Sequence, residues 1–196
     1  MQIKHTAGLA ALALTAGCAL AQQGVSKTEI TIGSIQDLSG PAVSLGKQAR
    51  LGMMLRVDEI NEQGGINGRK LKIIVEDSGY DPKKAFLAAQ KLVNQDKIFM
   101  MVGHIGTAHN LAAMPVQFEK NVVNFFPLTA AREMYEPLHK LKYAFSVTYF
   151  DQIRKTAPKL VKEKGIKKVC TLYQDDEFGL EVMRGCLLYT SPSPRD

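Results

Sequence analysis

Residues 71–93 read LKIIVEDSGYDPKKAFLAAQKLV. Leu71 to Val75 is a short apolar run, the pattern of a buried strand. Asp81-Pro82 then fits a helix start, with the aspartate as N-cap and the proline as first helical residue. Ala85, Ala88, Ala89, Leu92 and Val93 follow at i, i+3, i+4, i+7 and i+8, which is one apolar face of an amphipathic helix. The stretch is therefore a strand–turn–helix unit, and it decides the fold because the same unit recurs on both sides.

Upstream, Ile30 to Ile35 reads as a strand. Ala49, Met53, Val57 and Ile60 recur at helical spacing up to Asn61, Gly64-Gly65 ends that helix, and Gly68 allows a turn. Downstream, Ile98 to Val102 is a third strand. Gly103 to Asn110 turns into a helix carrying Leu111 and Ala112, with Pro115 expected at a break or restart. Val122 to Phe126 and Tyr143 to Val147 are the next strands. Asp151 is expected to cap a helix with Ile153, Ala157, Leu160 and Val161 inward, and Pro158 suggests a kink or a late start. Lys168 to Tyr173 reads as one more strand with Cys170 buried, and Glu177 opens a last helix. Alternating apolar strands and helices predict an α/β fold, a doubly wound parallel sheet covered on both faces. The expected division is a first lobe over 22–145, then over 146–185 a hinge crossing and the start of a second lobe.

The ends of the chain differ from its middle. Lys4 and His5 precede a small apolar run from Ala7 to Leu20, and Ala19-Leu20-Ala21 offers a signal-peptidase site. Residues 1–21 are thus expected to be a signal peptide, which places the product in the periplasm. Lipid anchoring at Cys18 is the rival export route, weakened by Thr15 where a lipoprotein box prefers leucine. At the other end, residues 186–196 read CLLYTSPSPRD. That string matches the translation of a transposase adapter used in sequencing libraries, so it is set aside as an artefact and the natural protein is expected to be longer.

Among 196 residues the net charge is +6. The lysines and arginines are scattered rather than interleaved with aromatics, which argues against nucleic-acid binding. No window approaches the roughly 18 apolar residues that span a bilayer. With Cys18 in the leader and Cys186 in the tail, Cys170 offers neither a disulfide framework nor a metal site. His104 and His109 are five apart, wrong for one face of a helix. No metal and no cofactor are expected.

In open parallel sheets, ligands bind beyond the carboxyl ends of the strands. Gln36–Gly46, Gly103–Asn110, Pro127–Arg132 and Gln174–Gly179 are the loops that qualify. Gly-His-Ile-Gly-Thr-Ala-His, residues 103–109, places backbone N–H groups at a helix start, where an anion such as a carboxylate is favoured. The same residues read equally as an ordinary Thr-capped helix. A dinucleotide fingerprint is not supported, since the third glycine is missing at the required spacing. For an enzyme there is no constellation. Asp175, Asp176 and Glu177 are adjacent and cannot share one site face, and Ser39 is not in a nucleophile elbow.

Ile32-Gly33 to Gly40-Pro41, Asp58-Glu59-Ile60-Asn61 with Gly64-Gly65-Ile66-Asn67-Gly68, Asp81-Pro82 with Ala85, and Val102-Gly103 together resemble the branched-chain amino-acid-binding proteins of ABC importers, periplasmic binding proteins of the first structural type. The resemblance covers Glu29 to Gly185. It implies two lobes joined by a hinge and closing on a ligand, with no enzymatic activity. The ligand's carboxylate would lie on first-lobe loops and its ammonium on the second lobe. By position, Ile105, Gly106 and Thr107 match the carboxylate loop, and Leu128, Thr129 and Ala130 the second first-lobe contact. Leu45 and Phe178 stand where tyrosines are common, which makes the pocket more apolar. The resemblance also implies a monomer that delivers a small molecule, a carboxylate or amide, to the membrane permease of an importer. A ligand-sensing domain of a receptor or regulator is the alternative on the same fold.

Overall fold

The computed structural model describes residues 22–190. The signal-peptide and Cys18 readings, and the last six residues of the tail, lie outside them.

Five parallel strands form one sheet in the order β2-β1-β3-β4-β5: β1 Glu29–Gln36, β2 Lys70–Asp77, β3 Met100–Val102, β4 Val123–Phe125 and β5 Lys142–Tyr143. Ile32 stands opposite Ile73 and Gly33 opposite Met101, so β1 sits between β2 and β3. Its second half is buried without alternation, as a strand covered on both faces requires. The helices are α1 Val43–Glu62, α2 Pro82–Gln90, α3 Thr107–Glu119, α4 Tyr149–Lys164 and α5 Glu177–Thr190. This is the α/β parallel architecture that the strand–helix repeat predicts.

Two apolar clusters flank the sheet. Ala85, Ala88, Ala89, Leu92 and Val93 of α2 and the π turn after it pack with Ile35, Ile98, Met101, Ala113 and Val122. Ile32, Val57 and Leu71 form the other, with Ile60, Ile73 and Met100 partly buried against them. The first cluster contains all five residues of the periodic apolar face, whereas Phe86 and Leu87 of the same helix are exposed. Asp81 caps that helix as its sequence implies, accepting the amides of Lys83 and Lys84. Those amides hold its carboxyl below the ordinary carboxylate range.

Other expectations are corrected. Pro115 neither breaks nor restarts α3 but lies inside it. Its ring is on the exposed side, where the forgone N–H bond costs least. Pro158 likewise lies inside α4, which begins at Tyr149 rather than late. The cap of α4 is Thr148, not Asp151: the Thr148 hydroxyl accepts the Asp151 amide at 3.0 Å and donates to the Asp151 carboxylate. Leu160 is 52% exposed rather than inward, whereas Ile153, Ala157 and Val161 are half-buried. The fifth strand is only Lys142–Tyr143, and Phe145 and Val147 beyond it are exposed.

The largest correction concerns Lys168–Tyr173. No strand forms there, and Cys170 is exposed rather than buried. A strand needs a neighbour for its ladder, and among the described residues none lies beside this run. α5 continues past Gly185 to Thr190, a helix where the sequence of the tail shows no period.

One ion pair ties the start of α5 to the sheet. Arg132, in a 3-10 turn after β4, donates to both Glu181 carboxylate oxygens at 3.1–3.2 Å and lies 4.7 Å over the Phe150 ring. Glu181 is fully buried. Removing Arg132 leaves that carboxylate without its partner, so Arg132→Ala is expected to cost about 2–3 kcal/mol in urea unfolding. Arg132→Met with Glu181→Leu should recover most of the loss. A double variant as weak as Arg132→Ala alone would show that the charge pair is not what holds α5.

Candidate functional site

The carboxyl ends of β1, β3 and β4 are held by buried side-chain amides. Gln36 Nε2 donates to the Gly103 carbonyl at 2.6 Å and to Ser34 Oγ at 2.8 Å, and Ser34 Oγ donates to the Val102 carbonyl. Asn110 Nδ2 donates to the carbonyls of His104 and Gly106, and Asn124 Nδ2 donates to Asn110 Oδ1. These residues fix the 103–109 turn from beneath. The sequence reading missed them, although a buried Gln or Asn at a strand end or in a first helical turn is a recognisable signal.

Above this network the two loops that follow β3 and β4 run side by side. Ile105 bridges Leu128 in parallel, the Leu128 amide donates to the His104 carbonyl, and the Gly106 amide donates to the Leu128 carbonyl. Gly106, at φ +90°, is the N-cap of α3 and turns the chain into the helix. A Cβ there would stand 2.3 Å from His109 Nδ1, so only glycine fits this turn. Thr107 is the first helical residue and gives no capping hydrogen bond, so the Thr-capped reading does not hold. Its hydroxyl instead meets that of Thr129 at 2.6 Å. Thr129 Oγ1 also accepts the Ala131 amide.

These loops form one wall of a cleft of about 120 Å³ lined by Ala42, Leu45, Tyr80, Ile105, Gly106, Thr107, Leu128, Thr129, Tyr149 and Phe178. Leu45, Ile105, Gly106, Thr107, Leu128, Thr129 and Phe178 are therefore brought to one cavity from four separate segments. Ala130 is not on its wall: it is buried, and its carbonyl accepts the Tyr149 amide at 2.9 Å. Leu45 stands at the rim, 55% exposed.

Tyr80 and Tyr149 are lining residues that the sequence reading did not name. Tyr80 follows β2, a strand end omitted from the candidate loops, and its ring lies 4.4 Å from that of His109. Burial pushes its phenol up, partly opposed by a hydrogen bond from Gln174 and reinforced by Asp176. Tyr149 opens α4 and meets Phe178 edge-on at 5.1 Å.

No lining residue carries a charge. The cleft's polar groups are the hydroxyls of Thr107, Thr129, Tyr80 and Tyr149 and the first turn of α3, whose amides have no intrahelical acceptor. Such a helix end carries partial positive charge and favours an anion. The rest of the wall is apolar or aromatic. The arrangement can hold a small molecule by one anionic end with its body against the rings. No group of three or more His, Cys, Asp or Glu able to hold a metal ion occurs among the described residues. Likewise, no helix among them is long and apolar enough to cross a membrane.

Comparison with known proteins bears on the family and the fold. The periplasmic binding protein family model matches residues 29–190. A Leu/Ile/Val-binding protein homolog of Brucella suis biovar 1 is 29% identical over 190 residues, covering 92% of this chain and 46% of the relative. The crystal structure of a substrate-binding periplasmic protein from Ralstonia solanacearum superposes with a TM-score of 0.73 at 26% identity, over 81% of this chain and 44% of that one. A branched-chain amino acid transporter substrate binding protein from Streptococcus pneumoniae, solved in complex with isoleucine, superposes with a TM-score of 0.70 at 24% identity, over 82% of this chain and 46% of that one. The chain spans about half the length of the curated relatives it matches.

Proposed function

Because this chain belongs to the periplasmic binding protein family, we propose that it is the solute-capturing part of an exported subunit of an ABC importer. It holds a small carboxylate or amide solute, a branched-chain amino acid or a related compound, and delivers it to a membrane permease without transforming it. The observation that carries this reading is the meeting of Thr107 and Thr129, 2.6 Å apart, at the α3 N-terminus, inside a cleft walled by Leu45, Ile105, Leu128 and Phe178. The anionic end of the solute sits at Gly106 and Thr107, and its body lies between Leu45, Leu128 and Phe178.

Residues 1–21 direct export to the periplasm, 22–145 form the first lobe, and 146–185 cross a hinge into the second. Phe178 then belongs to a segment that closes over the solute. Closure is favoured by the contacts that the solute makes only in the closed form. The working unit is a monomer, and the names of the relatives support a binding role rather than turnover.

The test is equilibrium binding of a panel of small carboxylates and amides to the full-length protein. Thr107→Val keeps the volume but removes the hydroxyl. It is expected to weaken the best-bound carboxylate at least about tenfold, the equivalent of about 1.4 kcal/mol, while Thr107→Ser stays near wild type. Unchanged affinity in Thr107→Val, with unfolding also unchanged, would put the solute elsewhere.

A further inference from the structure

Helix α1 turns one apolar face to the sheet and another away from it. Val57 is buried, Ile60 and Met53 are partly so, and the Met53 sulfur lies against Gly103 just beyond β3. On the opposite side Leu51 is 70% exposed, Leu55 61% and Met54 39%. At 3.6 residues per turn, Ser44, Lys47, Leu51, Leu55, Asp58 and Glu62 fall in one stripe about 80° wide, and all six are exposed. Large apolar side chains at i and i+4 form a ridge of the kind that packs into a groove of another helix. Because the stripe points straight away from the sheet, a further element packed on that sheet would flank α1 and leave the stripe open.

The charges on the stripe are ordered along it. Lys47 precedes Leu51 by one turn, and Asp58 and Glu62 follow Leu55. None of the three has an ion-pair partner among the described residues, whereas Arg56 and Glu59 on the flank pair with each other at 2.9 Å. The stripe is therefore basic at one end, apolar in the middle and acidic at the other. A surface in that order complements a second copy of itself laid antiparallel, because a twofold axis presents the same patch from both sides. With the axis midway between Leu51 and Leu55, Leu51 meets the partner's Leu55, and Lys47 falls beside the partner's Asp58. A parallel pairing would set lysine against lysine and aspartate against aspartate, which is repulsive.

We propose that two copies of this chain associate reversibly through α1, antiparallel about a twofold axis between Leu51 and Leu55. None of the stripe residues lines the cleft, so each monomer keeps its own solute site and remains the capturing unit. The contact is one helix wide, which places it among the small, transient interfaces. Its apolar centre supplies the attraction, and the two Lys47–Asp58 pairs fix its direction.

Sedimentation velocity of the full-length protein, from about 10 to about 500 µM, tests this. Dimer is expected to grow with concentration and to be half formed between about 30 and about 300 µM. Leu51→Gln combined with Leu55→Gln, and separately Lys47→Glu, should weaken association at least about tenfold. Lys47→Glu combined with Asp58→Lys should return it to within about threefold of wild type. Glutamine matches leucine closely in helix propensity, so the dilute double-glutamine variant should keep wild-type thermal unfolding and solute affinity. A protein that stays monomeric to about 500 µM overturns the proposal. So does a dimer that the glutamine and Lys47→Glu variants leave intact, or a charge-exchanged variant that does not recover. Lower thermal stability of the dilute glutamine variant also overturns it, because the stripe would then be covered by the protein's own chain.

Discussion

Gly46→Ala is expected to destabilise the protein by about 3–4 kcal/mol, an effect reserved for severe steric conflict or loss of a buried partner. A Cβ at Gly46 would stand 1.9 Å from the Asp37 carbonyl oxygen and 3.0 Å from the Asp37 nitrogen. That backbone cannot yield, because Asp37 follows β1 and its carboxylate anchors the amides of Ser39, Gly40 and Ala42. Relief requires α1 to move off the end of β1, which also carries Leu45 away from the cleft. Gly52, in the same helix, has nothing within 4 Å of an added Cβ. Gly52→Ala should therefore stabilise by about 0.5–1 kcal/mol, since alanine loses less backbone entropy in a helix. Urea unfolding with unchanged m-values separates the two. Equal behaviour of both variants would mean that α1 does not pack on the Asp37 loop.

His104→Leu is expected to protect the protein against acid. His104 is fully buried and neither ring nitrogen has a hydrogen-bond partner. Burial, with His109 beside it, pushes the imidazole down to about 3 from an ordinary 6.5. Between those values the unfolded chain takes up a proton that the folded chain refuses. Stability therefore falls as pH drops below 6.5, by about 1.4 kcal/mol per pH unit from this group. His104→Leu removes that slope. At pH 4.5 the variant should be about 2–3 kcal/mol more resistant to urea, relative to wild type, than it is at pH 7.5. Parallel pH profiles for the two proteins would show that His104 titrates normally. Asp77 adds a second case of the same sign at lower pH. Burial pushes its carboxyl up, but the Ser39 hydroxyl, the amides of Leu38 and Gly79 and the charge of Lys84 outweigh that and hold it low. Its contribution is present above the ordinary carboxylate range and is lost as pH falls through its lowered value.

Much of the fold was legible because local and tertiary signals agree. The 71–93 helix has its cap, its proline and its apolar face in register, and every one of those apolar residues is in the core. The strand at Lys168–Tyr173 was misread for a physical reason. An apolar run is a strand only where another strand pairs with it, and that depends on residues far away in sequence. Pro115 was misread because a proline's cost depends on which side of the helix it faces, and its side is exposed.

The cleft was partly legible. The rule that ligands sit beyond strand ends found the loops of Thr107 and Thr129, whereas Phe178 came from the family resemblance, since the run before it forms no strand; the three meet around one cavity. Applied also to the end of β2, the same rule would have found Tyr80. Tyr149 gave no such signal, because it lies seven positions past the short β5 strand's nominal start and owes its place to the docking of α4 through the Ala130 carbonyl. Ala130 shows the converse: the right loop, but a residue turned into the core.

The central claim is that a small solute is held by its anionic end at the start of α3. A crystal structure of the full-length protein with its best-bound solute measures this most directly. The account predicts carboxylate oxygens within hydrogen-bond distance of Thr107 and the first-turn amides of α3, with the body of the solute against Tyr149 and Phe178. A solute lodged outside this cleft, or one whose anionic end points away from Gly106 and Thr107, would contradict it.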